Sequence, residues 1–343
     1  MLGLPLKDAL DVLEPMFIPP EKTQAGYNFA DMPDSVSFKD SNVVLYGVPL
    51  DLTTSFGKGT NRGPEAIRLT SARQIETFIF EEKIDLYQRV KVYDLGNLRI
   101  PYSIVKEKDN RNINTQHKKH IIARSLSFLD QNIPKVTSGI YNDAKKIPLL
   151  IGGEHTISYY AIKALAKEEP LVIHFDAHRD MKERYEGMKM CHTTPFFHLV
   201  NEGHIPGKNI IQIGIRQCDQ LENKKAEHSG IVTFDAWHVH DNIDDLLKSL
   251  SKLTRYRKIY ISFDIDVYDL PYVPCTGTPE PFGLNPFDVI DIIKSIHTSA
   301  DLIGMDIVEV SAKNDDYREG TLATQTLLRI LTRDFIKNRR FIR

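Results

Sequence analysis

Residues 171–180 have the sequence LVIHFDAHRD, which indicates both the fold and the chemistry of the chain. Its first half is mostly apolar on both alternating faces, as is typical of a strand buried between two layers of helices. The run leads directly into Asp176, His178 and Asp180. In an extended backbone, residues two apart point the same way, so these three side chains are expected to share one face.

Two further apolar runs end in the same manner. Residues 147–155, IPLLIGGEH, lead into His155, and residues 258–266, KIYISFDID, lead into Asp264 and Asp266. The carboxyl ends of parallel strands meet at one edge of a sheet, where ligands bind in α/β proteins. The sequence therefore predicts one crevice that holds four carboxylates and two imidazoles.

Such a group of charges needs compensation by cations. Crowded carboxylates repel one another and lose hydration when they are buried. Two divalent metal ions satisfy the set if two of the aspartates bridge them. A set of carboxylate and imidazole ligands without thiolate favours Mn²⁺ over Zn²⁺ or Cu, and leaves Fe, Co and Ni open. Taken singly, His155 is compatible with a structural histidine, Asp176 with a helix cap and DAHRD with a surface turn, but the three motifs together favour metal binding.

The apolar runs also predict the fold. Amphipathic helical patterns separate them, which indicates a mainly parallel sheet with helices on both faces. We predict an α/β protein with a single three-layer α/β/α domain over residues 41–343, and an eight-stranded sheet. The eight predicted strands cover residues 42–48, 89–95, 147–151, 171–176, 209–215, 231–234, 258–264 and 302–308.

Two segments fall outside this alternation. Residues 1–40 are punctuated by proline and are expected to pack on the core or on a neighbouring subunit. Residues 104–142 are polar and are expected to form a surface loop and one helix that ends before Pro134 or bends there. Near the carboxyl end, Asn285 is expected to cap a helix whose first turn contains Pro286 and Asp288.

Composition excludes several classes of protein. The chain has 343 residues, 41% hydrophobic and 26% charged, with a formal net charge of −2. This balance is typical of soluble globular proteins and argues against a nucleic-acid surface. No stretch predicts membrane insertion or secretion. Three scattered cysteines make a disulfide framework improbable, so a cytoplasmic location is expected.

The motifs resemble those of the ureohydrolases, the family of arginase, agmatinase, guanidinobutyrase and formiminoglutamase. They stand here as IGGEHT (151–156), FDAHRD (175–180), the long segment SFDIDVYDLPYVPCTGTPEPFGL (262–284) and GMDIVEV (304–310). The resemblance, which extends over about residues 42–332, implies an arginase-like eight-stranded parallel α/β/α sandwich. It also implies two Mn²⁺ ions per subunit and assembly into a homo-oligomeric trimer or hexamer.

The resemblance further implies which residues hold each ion. One ion is assigned to His155, Asp176, Asp180 and Asp264. The other is assigned to His178, Asp176, Asp264 and Asp266, so that Asp176 and Asp264 are the bridges.

Three residues are expected to take part in catalysis. By the same resemblance, His192 corresponds to a proton-shuttling histidine and Glu309 to a glutamate that binds guanidinium. A metal pair lowers the pKa of a shared water, and Asp180 is placed to pass its proton to the leaving amine. Without the family match, Glu309 reads as a surface ion-pair partner and His192 as a loop residue.

The substrate is expected to be a small cationic guanidino compound, and agmatine is favoured. The loop after Asp180, DMKERYEGMKMCH, lacks the asparagine that arginases carry there and resembles archaeal-type agmatinases. Arginine, guanidinobutyrate and formiminoglutamate stay open, because Lys182, Arg184 or Arg216 offers a cation for a substrate carboxylate. Guanidine stays open as well. A metal-dependent deacetylase with a single Zn²⁺ and an inactive scaffold protein are the alternatives from other classes.

Overall fold

The computed structural model describes residues 6–33, 36–101, 103–104, 115–312 and 316–336. Within these ranges the central sheet has nine strands, which are β1 (Phe17–Ile18), β2 (Val43–Val48), β5 (Val92–Leu98), β6 (Ile147–Gly152), β7 (Leu171–Phe175), β8 (Ile210–Ile213), β9 (Val232–Phe234), β10 (Lys258–Asp264) and β11 (Asp301–Val308). Their order across the sheet is β1-β5-β2-β6-β11-β10-β7-β8-β9. Every neighbouring pair is parallel except β1 and β5, which are antiparallel.

The eight predicted strands are present, and the predicted count of eight was wrong by one. The additional strand, β1, comes from the segment that precedes residue 41, where Phe17 pairs with Leu98. The approach is close, because Gly96 has a φ of 86° and a Cβ at that position would lie 1.9 Å from the carbonyl oxygen of Ile18. Glycine is the residue that tolerates both conditions. Two more short strands, β3 (Phe78–Ile79) and β4 (Ile84–Asp85), form a separate antiparallel pair.

Helices cover both faces of the sheet and form three layers with it. On β2, Val43 and Leu45 belong to one buried apolar cluster, whereas Val44 and Tyr46 belong to the other. The first cluster includes residues of α2 (Gly63–Arg73), α3 (Leu86–Arg89), α8 (Ala236–Thr254), α9 (Pro286–Ser295) and α10 (Arg318–Leu331). The second includes residues of α1 (Leu6–Leu13), α4 (Thr115–Ser138), α5 (Thr156–Ala164), α6 (Pro195–Asn201) and α7 (Gln220–His228).

Short helical turns connect these elements. They are 3₁₀ turns at Glu14–Met16, Pro20–Lys22, Phe29–Asp31, Thr60–Arg62, Ala166–Glu168, Gly207–Asn209 and Ile265–Val267, and a π turn at Gly139–Asp143.

Two local predictions had different outcomes. The cap on α9 is confirmed, because the side chain of Asn285 accepts hydrogen bonds from the N–H groups of Phe287 and Asp288. Of the two outcomes predicted at Pro134, the helix does not end before it, because α4 continues to Ser138. The alternative, a bend at Pro134, stays a prediction. Proline removes only one backbone donor from a helix, and α4 keeps its place by burying Leu129, Ile133 and Val136 in the second cluster. The polar loop predicted before this helix lies at residues 105–114, outside the described residues.

The described helices include none that combines the length and the apolar character needed to cross a bilayer. Cys191, Cys218 and Cys275 are all free thiols.

Candidate metal centre and active site

The first ligand group gathers around His155, which stands between β6 and α5. The Nδ1 atom of its imidazole lies 3.1 Å from Asp176 Oδ2, 3.0 Å from Asp180 Oδ2 and 3.2 Å from Asp264 Oδ2. All four residues are buried. These are the same four residues that the sequence assigns to one metal ion, and they come from the ends of three different strands.

The second ligand group gathers around His178. Its Nδ1 atom lies 3.0 Å from Asp266 Oδ2 and 3.4 Å from Asp176 Oδ1. Asp176 therefore offers one carboxylate oxygen to each group, as a bridging ligand requires. Asp264 directs Oδ2 to His155 and accepts the N–H of Asp266 on Oδ1, so its bridging role stays a prediction.

The backbone after each strand turns instead of staying extended. Asp176 Oδ1 accepts the N–H of His178 at 2.5 Å, and Asp264 Oδ1 accepts the N–H of Asp266 at 2.9 Å. This local hydrogen bond favours a turn. The expectation that Asp176, His178 and Asp180 share one face was therefore wrong. His178 turns to Asp266, while Asp180, at a φ of 52°, turns to His155.

The orientation of the His155 ring can be derived from its other nitrogen. Nε2 lies 3.2 Å from Ser262 Oγ, which in turn donates to Asp306 Oδ1 at 2.9 Å. Since the Ser262 proton goes to Asp306, Ser262 accepts the Nε2 proton of His155. In the neutral form of the ring, Nδ1 then directs its lone pair at three carboxylate oxygens, with none of which it has a well-aligned hydrogen bond. A lone pair and three anionic oxygens that converge on one point fit a cation between them.

Electrostatics of the cluster lead to the same conclusion. Burial raises the pKa of Asp180 to about 7, and the charge of Asp176 adds to the rise. Burial, together with the charges of Asp266 and Asp176, raises the pKa of Asp264 well above its usual value. Burial lowers the pKa of His155, but the surrounding carboxylates outweigh it and raise the pKa well above 6.5. The cluster thus attracts positive charge, which a proton or a divalent cation supplies.

Glu309 follows β11 and lies against the first ligand group. Its Oε1 accepts the N–H of His155 at 2.8 Å, while its Oε2 is buried and has no hydrogen-bond partner among the described residues. Burial raises the pKa of Glu309 to about 8, with the charges of Glu154 and Asp266 adding to it against the hydrogen bond from His155. Gly277 leaves space over Oε2, since a Cβ there would lie 2.6 Å from that oxygen. In its ionised form, Glu309 therefore presents a free acceptor to a small hydrogen-bond donor.

His192 lies in a loop that contacts the segment after β2. Its Nε2 is 3.2 Å from Ser55 Oγ, and its backbone N–H donates to Thr53 Oγ1. Thr53 is held in turn by Glu154, which accepts both its N–H and its hydroxyl. Burial, together with the charges of His178, His155 and Lys58, lowers the pKa of His192 to about 4. The imidazole of His192 is therefore neutral at ordinary pH.

Sequence reasoning missed His174, which sits within the strand that precedes Asp176. Its Nε2 lies 2.8 Å from Asp176 Oδ2, so His155, His174 and Asp176 place three potential ligand atoms close together. Burial lowers the pKa of His174 to about 4. The available signal was a single polar residue inside an apolar run, two positions before a predicted ligand and hence on the same face.

Comparisons with known proteins agree with this geometry. A family model described as the arginase family matches residues 41–332. An agmatinase from Bacillus cereus is 31% identical over 304 residues, which cover 88% of this chain and 94% of the relative. An N(1)-aminopropylagmatine ureohydrolase from Thermus thermophilus is 29% identical, with 83% and 88% covered. The crystal structure of an agmatine ureohydrolase from Thermoplasma volcanium superposes with a TM-score of 0.72 at 27% identity, over 86% of this chain and 90% of that one.

Proposed function

This chain belongs to the arginase family, and we propose that it is a dinuclear-manganese enzyme that hydrolyses agmatine to putrescine and urea. The family and the relatives place it among the ureohydrolases, which are hydrolases of carbon–nitrogen bonds in guanidino compounds. The metal, the substrate and the roles of individual residues are the proposal.

The proposed metal ligands are the two groups around His155 and His178. His155, Asp176, Asp180 and Asp264 hold one ion, and His178, Asp176, Asp264 and Asp266 hold the other. The carboxylate-rich donor set supports Mn²⁺, with Co, Ni or Fe as substitutes. When bound, a pair of such ions supplies Lewis acidity and lowers the pKa of water toward neutrality.

The observation that carries the proposal is the buried Oε2 of Glu309 beside the ligand cluster, which has no hydrogen-bond partner in the part of the chain that the structure describes. Leaving a buried carboxylate oxygen without a partner costs free energy, about 1–3 kcal/mol for an ordinary buried polar group and more for a charged one. A guanidinium group provides N–H donors and a positive charge that satisfy this oxygen. Glu309 would thus fix the guanidinium carbon beside His155, whose N–H holds the other carboxylate oxygen.

Two side chains would handle the protons of the reaction. Water adds to the guanidinium carbon, the bond to the alkyl nitrogen breaks, and that nitrogen must gain a proton to leave as an amine. Asp180, with Oδ2 in the first ligand group, would accept the proton of water and pass it on. His192, neutral and near the surface loop at Ser55, would exchange protons between the amine and solvent.

Agmatine is favoured because the basic residues considered for a substrate carboxylate are engaged or exposed. Lys182 donates to Asp219 and Glu222, and Arg216 donates to backbone carbonyls that include those of Asp266 and Glu280. Arg184 is exposed. A diamine product without a carboxylate suits such a site. The agmatinase relatives support the same substrate.

The proposal includes three points of organisation. The subunits assemble into a homo-oligomeric trimer or hexamer, the enzyme is cytoplasmic, and residues 41–343 form the catalytic domain with residues 1–40 as an extension. The family resemblance supports the first, and the pairing of Phe17 with Leu98 supports packing of the extension on the core.

A urea-release screen of the Mn²⁺-loaded protein tests the proposal. The substrates are agmatine, arginine, guanidinobutyrate, formiminoglutamate (with release of formamide instead of urea) and guanidine. We expect the highest kcat/KM for agmatine, and we expect Asp264→Asn to abolish turnover and to lose at least one metal ion. A higher kcat/KM for another member of the set would replace agmatine as the substrate. One bound Zn²⁺ per chain would favour a deacetylase, and two bound ions without any turnover would favour a scaffold protein.

A further inference from the structure

One polar residue from each of five neighbouring strands forms a continuous row across the sheet, one or two residues before the end of each strand. In register, Thr233 of β9 lies opposite Gln212 of β8, Gln212 opposite His174 of β7, His174 opposite Ser262 of β10, and Ser262 opposite Asp306 of β11. We call these five residues the polar row. Asp176 and Asp264 stand two positions beyond His174 and Ser262, so the polar row lies directly beneath two metal ligands.

Arg179 fixes the direction of the hydrogen bonds in one half of the polar row. Its Nη1 donates to Gln212 Oε1 at 2.9 Å. A guanidinium can only donate, so this atom of the Gln212 amide must be the oxygen. Gln212 Nε2 then donates to the carbonyl oxygen of Arg179 at 2.8 Å and to His174 Nδ1 at 3.2 Å.

The tautomer of His174 follows from that direction. Nδ1 accepts a hydrogen bond, so the ring proton is on Nε2, which donates to Asp176 Oδ2 at 2.8 Å. A protonated ring nitrogen has no lone pair for a metal ion. His174 is therefore unsuited to be a metal ligand, although it lies close enough to the proposed site to reach a metal ion there. The ring is also held in plane by Phe196, with stacked centroids 3.8 Å apart.

We propose that His174 is a positioning residue for the metal centre: with its tautomer set by Gln212 and Arg179, it holds the bridging carboxylate of Asp176 in orientation. This inference rests on the proposed metal site. Asp176 Oδ1 is held by the N–H of His178 and Oδ2 by His174, so each oxygen keeps a lone pair for the ligand group that it faces. Hydrogen-bond partners of this kind orient metal ligands, and their loss weakens metal binding by about 10–100-fold.

The test compares two replacements of one ring. His174→Phe preserves the stacking on Phe196 but removes the donor to Asp176. His174→Gln retains an amide N–H that can reach the same oxygen. Mn²⁺ affinity and stoichiometry are measured by calorimetric titration of the metal-free protein, and the thermal stability of each metal-free variant is recorded beside them. We expect His174→Phe to weaken Mn²⁺ binding about 10–100-fold while still taking up as many ions as the wild type at saturation, and His174→Gln to regain most of the affinity.

A matched control and a second variant make the outcome decisive. His198→Phe replaces another buried histidine, whose Nε2 faces the carbonyl oxygen of Lys189, and should leave Mn²⁺ affinity unchanged. Gln212→Leu should lower the affinity in the same direction, and it serves if His174→Phe does not fold. Wild-type affinity in His174→Phe, or in Gln212→Leu where that variant stands in, would overturn the proposal. So would the loss of one ion per chain in both His174 variants, because His174 would then be a ligand. Failure of the wild type to bind Mn²⁺ would instead contradict the proposed function.

Discussion

At the scale of single residues, the site depends on backbone conformations that residues other than glycine rarely adopt. Asp180 and Glu309 have φ values of 52° and 58°. Such a conformation costs about 1–3 kcal/mol in a residue other than glycine and persists only where the surroundings impose it. Here the carbonyl oxygen of Asp180 accepts the N–H groups of Phe196 and Phe197, and the N–H of Glu309 donates to Gly153. The strain directs both carboxylates into one site.

The space above Glu309 gives a first prediction. In Gly277→Ala the new methyl group would lie 2.6 Å from Glu309 Oε2, where the guanidinium is proposed to bind. We expect kcat/KM for agmatine to fall by at least about tenfold, with metal content unchanged, because a contact made in the transition state is lost. Steady-state kinetics and metal analysis measure both quantities. Gly139→Ala is the control, since its Cβ makes only an ordinary contact of 3.4 Å with Leu13. Equal losses in both variants would argue against the proposed location of the guanidinium.

His192 gives a second prediction. His192→Ala should retain the metals and lower kcat by about 10²–10⁴-fold if the imidazole transfers protons. Added imidazole should restore part of the rate. Ser55→Ala, which removes only a hydrogen bond to Nε2, is the matched control and should reduce the rate far less. Normal turnover in His192→Ala would make His192 an ordinary loop residue.

At the scale of helices and strands, the ends of these elements contribute more to the site than their interiors do. The three segments that carry the proposed metal ligands lie at the ends of β6, β7 and β10, and a polar turn begins within two residues of each strand end. The helices of this fold begin at similar local signals. Asp219 forms a capping box with Glu222 at the start of α7, and Asn285 caps α9.

The cap of α9 can be tested for its contribution to stability. Asn285→Ala removes the acceptor for the N–H groups of Phe287 and Asp288, and should lower the free energy of unfolding by about 1 kcal/mol. Urea denaturation of the metal-free protein measures the change. Asn285→Ser keeps a capping oxygen and should stay close to the wild type. If serine and alanine destabilise equally, the cap is not the cause.

The sequence predicted these elements where local chemistry is strong. Long runs of Val and Ile marked eight strands, and Asn285 marked a helix start. A two-residue strand such as Phe17–Ile18 is too short to show a periodicity. Its pairing partner, Leu98, is also distant in the chain. His174 was missed for a related reason. Inside an apolar run, His174 is expected to be an ordinary core residue. Only the folded structure shows that its two ring nitrogens are hydrogen-bonded to Gln212 and Asp176.

At the scale of the whole molecule, the binding of metal cations at the site is coupled to the release of protons. Burial lowers the pKa values of His155 and His178, but the facing carboxylates raise both well above 6.5. The metal-free site therefore favours the protonated form of both imidazoles, and a protonated ring nitrogen cannot bind a metal. Metal binding must release these protons.

The direction of the pH dependence follows. As pH falls below the raised pKa values, protons compete better and Mn²⁺ affinity should decrease, by about tenfold per pH unit for each proton displaced. As pH rises through those values, affinity should increase and then level off. Titration of the metal-free protein with Mn²⁺ at pH 6, 7 and 8, in buffers of different ionisation enthalpy, measures both affinity and protons released. Binding without proton release would mean that the imidazoles are already neutral.

The two ligand groups also have a topological consequence. His155, Asp176 and Asp264 belong to segments that are far apart along the chain, yet they converge on one point. Ions bound there act as reversible cross-links that hold these segments together in the folded chain. The same ions bind the folded state alone and stabilise it by mass action. A chelator should therefore act as a denaturant of this protein at temperatures that the loaded enzyme withstands, and its effect should be reversed by returning the metal.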